Sequence, residues 1–112
     1  MILNLDVPRP GQEAIDAWNL VIKQIASFVD TGDAEFVAPT EMICLTAVTL
    51  AAQLRDAGYA SARVCPGGDG DICFEWYIGT KTVLVELLAS NVIEIMVFEN
   101  CKMVSRGYSP VD

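Results

Sequence analysis

The sequence predicts an α+β fold: two N-terminal helices packed on one face of a mainly antiparallel, four- to five-stranded sheet, with a β-meander in the C-terminal half. Two observations carry this. Residues 72–98 fall into three β-rich runs parted by the turn signals Gly79-Thr80 and Ala89-Ser90-Asn91. Residues 11–29 and 40–57 instead repeat apolar side chains at three- and four-residue steps. A length of 112 residues, with 53% apolar and 20% charged, suits one core, so residues 1–112 read as a single domain.

The chain opens with Ile2-Leu3-Asn4-Leu5, either an added edge strand or a cover for the core. Pro8-Arg9-Pro10 then enforces extended backbone. The first helix spans Gly11 to Val29, with Ile15, Trp18, Ile22, Ile25 and Val29 on its stripe. Glu13 and Asp16 suit the positive end of its dipole. Asp30-Thr31-Gly32-Asp33 is its stop. The second helix opens at Pro39-Thr40-Glu41, with Thr40 as N-cap, and runs to Ala57, with Gly58 at C′. Met42 to Leu54 is nearly free of charge, which places this helix between the sheet and the first helix. A short strand follows at Ala62 to Cys65, then the loop Gly67-Gly68-Asp69-Gly70-Asp71. After the meander, Met103 and Val104 can extend an edge strand, and the residues beyond Arg106 are expected to fray.

Alternation sorts the meander into two faces. The predicted core takes Ile72, Phe74, Trp76, Val83, Val85, Leu87, Ile93, Ile95 and Val97 from the sheet. From the helices it takes Ile15, Trp18, Ile22, Ile25, Ile43, Ala47, Leu50 and Leu54. The opposite face mixes Glu75, Glu86 and Glu94 with Tyr77, Leu84, Leu88, Val92, Met96 and Phe98. That is more apolar than an ordinary solvated sheet face.

Several chemistries are disfavoured. Seven Lys and Arg against fifteen Asp and Glu give a net charge of -8, the wrong sign for binding nucleic acid. Without histidine the usual general base and commonest metal ligand are missing. Cys44, Cys65, Cys73 and Cys101 form no C-x-x-C pair, although Cys65 and Cys73 can face each other across a hairpin. No secretory leader is expected from the first residues and no span from any apolar run, so the expected setting is cytoplasmic with reduced thiols. The Gly/Asp loop precedes a strand and carries carboxylates, which argues against phosphate. It lacks EF-hand spacing, so Asp69 and Asp71 read as a flexible hairpin loop and not as a calcium site. The three glutamates could share a proton or act as acid and base. In a small open sheet they are expected instead to be solvated, or paired with Lys81, Lys102 or Arg63.

An alanine-rich helix ending in Ala57-Gly58-Tyr59 precedes a short strand and the Gly/Asp loop. Ile72-Cys73-Phe74-Glu75-Trp76 and Val83-Leu84-Val85-Glu86-Leu87 follow. Across residues 40 to 98 this order resembles small bacterial or mobile-element proteins with a glycine-rich loop and an apolar-x-apolar-Glu-Trp strand. The resemblance implies the same fold and a prokaryotic or phage source, and brings no activity with it.

The expectation for function is a non-enzymatic protein-interaction module, homodimeric through the outer sheet face. The interaction residues would be Glu75, Tyr77, Leu84, Glu86, Leu88, Glu94, Met96 and Phe98, with no catalytic residue, metal or cofactor. One alternative is an acidic, antitoxin-like inhibitor of a basic nuclease or nucleic-acid-binding protein. Another is a small-molecule-binding protein or modest enzyme with a pocket between helices and sheet.

Overall fold

The computed structural model describes residues 3–30, 32–33 and 35–111. Two helices precede a five-stranded antiparallel sheet, the α+β arrangement expected. The first helical stretch is divided. A 3-10 turn at Gly11–Ala14 leads into α1 (Ile15–Ala26), and a second at Phe28–Asp30 ends it. Its buried stripe is Ala14, Trp18, Val21, Ile25 and Phe28. That stripe is rotated from the one the apolar spacing suggests. Ile15, expected in the core, is 38% exposed, because the tightened 3-10 entry turns Ala14 inward in its place. Ile22 and Val29 pack only at the core margin.

The second helix, α2 (Glu41–Asp56), begins as its cap dictates: Thr40 Oγ1 accepts from the Ile43 N–H at 3.2 Å. It ends in a Schellman motif. Gly58 takes a φ of 86° and its N–H reaches the Arg55 carbonyl at 3.0 Å, while the Tyr59 N–H reaches Leu54 at 3.1 Å. The helices pack on each other, α1 against β1 (Arg63–Pro66) and α2 against β2 (Ile72–Ile78). They form a single layer, so α2 is not enclosed between α1 and the sheet. Its uncharged outer side, Met42 and Leu45, faces solvent.

The Schellman turn aims Tyr59 into the core. Its hydroxyl accepts from the Leu5 N–H at 3.1 Å and from Arg9 Nη2 at 2.6 Å, and donates to the Leu3 carbonyl at 3.2 Å. Its own carbonyl accepts from Trp18 Nε1 at 2.8 Å. The N-terminal piece is thereby held as a cover, burying Leu5 and Val7, and forms no strand among the described residues. Ile2 lies outside the described residues. Trp18 meets the rings of Phe74 and Trp76 at 6.4 and 6.3 Å, and Trp76 Nε1 donates to the Ala60 carbonyl at 2.8 Å.

The sheet runs β1-β2-β3-β4-β5, with β3 at Lys81–Leu87, β4 at Val92–Glu99 and β5 at Lys102–Pro110. Every neighbouring pair is antiparallel. The inner face buries Ile72, Phe74, Trp76, Val83, Val85, Leu87 and Ile93 as expected, with Ile95 and Val97 at its edge.

Two expectations fail. The residues after Arg106 do not fray: they continue β5 to Pro110. The turn that launches β5, Asn100-Cys101, takes φ values of 49° and 65°, the double left-handed geometry of a two-residue hairpin. Nor is the Gly/Asp loop loose. The Val37 N–H reaches the Gly68 carbonyl at 2.8 Å and the Gly70 N–H reaches Val37 at 3.1 Å, clasping the loop to the inter-helix connector.

Candidate functional site: the outer sheet face

Register brings the sequence-selected residues together. One row across the sheet reads Arg63, Glu75, Leu84, Met96, Arg106. The next reads Cys65, Cys73, Glu86, Glu94, Tyr108, and a third begins Tyr77, Thr82, Phe98 and Met103. Leu84 and Met96 are direct cross-strand partners, and Phe98 follows two residues along β4. The apolar members are therefore contiguous. Both helices lie on the opposite face, and Tyr77 remains 58% exposed. Leu88 and Val92 sit where β3 turns into β4, joined by the Leu88 N–H to the Val92 carbonyl at 2.9 Å. A bulge between Val97 and Phe98 leaves Val104 without a direct partner; it lies beyond the patch centre and leaves the two faces of β2, β3 and the start of β4 unswapped.

The three glutamates share this face but not one environment. Glu94 is 5% exposed, covered by two side chains of β5 and not by core. Arg106 Nε and Nη2 both reach its Oε2 at 2.6 Å, and Arg106 also lies over the Tyr108 ring at 5.6 Å. Hydrogen bonds from Tyr108 and Arg106 hold the Glu94 carboxyl below its usual range. Glu86, directly opposite, goes the other way. Burial, a hydrogen bond with Asp71 and the charges of Asp71, Glu94 and Asp69 push it up to about 7. Glu75 accepts from the Tyr77 hydroxyl at 2.9 Å and from Cys65 Sγ at 3.6 Å.

Of the cations expected to pair with these glutamates, Lys81 reaches Asp6 instead at 2.9 Å, while Arg63 stands directly opposite Glu75 on the neighbouring strand. The pairing cation, Arg106, borders the segment expected to fray, and its companion Tyr108 lies in it. A two-residue spacing, Arg-x-Tyr, was the only signal for them, and it means nothing until the segment is a strand. Cys65 and Cys73 do face each other across β1 and β2, and both are free thiols. Burial pushes Cys73 up to about 12, so it is a poor nucleophile.

Other concavities are modest. A cleft of about 330 Å³ lies where β1 ends short of Tyr77, lined by Arg63, Glu75 and Trp76. One of about 300 Å³ lies between the end of α1 and the start of α2, lined by Val29, Cys44 and Leu45. The first touches Trp76, and neither is lined by Trp18. Among the described residues no group of three or more His, Cys, Asp or Glu is placed to hold a metal ion, and no helix is long and apolar enough to cross a membrane.

Fold and face together define a class: a two-layer α+β sandwich whose sheet is covered on one side and open on the other. No protein-family model matches the chain, and no curated protein or solved structure shows significant similarity to it.

Proposed function

We propose that this protein is a non-enzymatic interaction module that associates with itself through the outer side of its sheet. One observation carries the reading. Leu84, Met96, Phe98 and Tyr77 form a continuous apolar patch on a face that neither helix covers. Monomers seldom leave such a patch to water, since burying it yields about 25 cal/mol per Å². The acidic-inhibitor reading draws less support. Glu94 is paired with Arg106 and Glu86 is pushed up to about 7, so two of the three glutamates on this face offer a basic target less than a full free charge.

The test is Leu84→Glu, with mass measured by sedimentation and fold by circular dichroism. A self-associating wild type and a folded variant of lower mass support the reading. A monomeric wild type, or a variant that unfolds because Leu84 is packed within its own chain, overturns it.

A further inference from the structure

We infer that two copies join edge to edge through β5, continuing the sheet across a two-fold axis at Gly107. This rests on the reading that the chain associates with itself, and adds to the contact on the outer face a second one, with its register, at the sheet edge.

The two sheet edges are unequal. β1 has four residues, ends in Pro66 and is followed by the loop clasped to Val37. β5 has nine residues, nearly all exposed, and among the described residues no strand lies on its far side. An edge of that length is a template for pairing unless something blocks it. Lys102, the bulge at Val104 and Pro110 blunt its ends and leave Ser105 to Ser109 open.

Backbone alternation shows which groups are free. The Val111 N–H points to Asn91, toward β4. Two-residue periodicity then turns Ser109, Gly107 and Ser105 toward β4, and Tyr108 and Arg106 outward, as far as the bulge at Val104. An antiparallel copy centred on Gly107 sets Arg106 opposite Tyr108 of its mate, twice. Each such pair exchanges two backbone hydrogen bonds and places the guanidinium beside a ring, the contact Arg106 already makes within its own chain. The bulge at Val104 and the missing N–H of Pro110 end the pairing on either side. Centring on Arg106 instead would oppose two arginines directly, which is unfavourable.

Charge favours this edge as well. The chain carries -8, so approaching copies repel, yet β5 holds Lys102 and Arg106 and no carboxylate. Pairing there brings no acidic side chains of the two strands together. At the axis, a side chain added at Gly107 meets nothing within 4 Å in the single chain. Paired, the two Gly107 positions form a non-hydrogen-bonded pair with Cα atoms about 4.5 Å apart.

That difference supplies the test. In a Cys101→Ser background, Gly107→Cys is oxidised and resolved on a non-reducing gel, since such a spacing accepts a disulfide. Rapid covalent dimer is expected, with Ser105→Cys remaining uncrosslinked. Gly107→Lys, which opposes two lysines, should stay folded and sediment below the wild-type mass, while Gly107→Val should keep that mass. A wild-type mass that survives Gly107→Lys but not Leu84→Glu overturns edge pairing and keeps the face. Dissociation by Gly107→Lys alone keeps the edge and sinks the face. Crosslinking through residue 105 and not 107 overturns the register, and a monomeric wild type overturns both.

Discussion

Glu86 and Glu94 stand opposite each other on β3 and β4, yet their environments push them in opposite directions. The consequence for stability has a sign that can be worked out. Between the ordinary 4.5 and about 7, folded Glu86 holds a proton that the unfolded chain has lost, so its contribution falls as pH rises through that window. For Glu94, with its folded value lowered, the contribution is present above 4.5 and is lost as pH falls through the folded value. Glu86→Gln should therefore raise the melting temperature at about pH 8 and leave it nearly unchanged at about pH 4. A variant equally or less stable at the higher pH would mean the carboxylate is not strained there. None of this was visible in the chain as read along its length. The Glu-x-apolar alternation placed both groups on one face, but Asp71, Arg106 and Tyr108 reach them only through loop and strand geometry.

At the scale of elements, the clearest signals in the sequence were local ones. Thr40 caps α2 and Gly58 closes it, because a hydroxyl acceptor and a residue tolerant of positive φ each solve a problem confined to one helix end. Thr40→Ala should cost about 1 kcal/mol in denaturant unfolding. A change well below that would show that Ile43 finds water as good a partner. The strands of the meander were legible for a similar reason, since period-two alternation is written into each run. Where the reading went astray, the deciding contact was distant or disguised. Ile15 was displaced from the core by a 3-10 turn whose start at Gly11 is fixed by the Gly11 N–H reaching the Gly58 carbonyl at 3.0 Å. β5 was hidden because its turn uses Cys101 where Asn-Gly would have announced a hairpin, and because Ser105, Gly107 and Ser109 give no apolar alternation.

For the molecule as a whole, the helices set the asymmetry. Both lie in one layer over the β1 and β2 side, leaving the outer face and the β5 edge to solvent. If copies of the chain bind one another and not their unfolded forms, folding is linked to concentration. Melting temperature should then rise with protein concentration, by about the shift expected from mass action, and a melting point independent of concentration would argue for a monomer. Leu84→Glu and Gly107→Lys should each weaken that dependence without lowering the melting point of the monomer.

By itself the sequence determined the class of fold, the order of helices and strands, and which side of the meander meets the core. Those follow from periodicity and caps, which act between residues close along the chain. Only the tertiary structure decided that α2 is covered on one side alone, that the tail completes the sheet, and that Glu94 is buried under Arg106 and Tyr108. Each depends on pairing across the sheet or between layers, where partners far apart in sequence compete and the local pattern carries no record of which one wins.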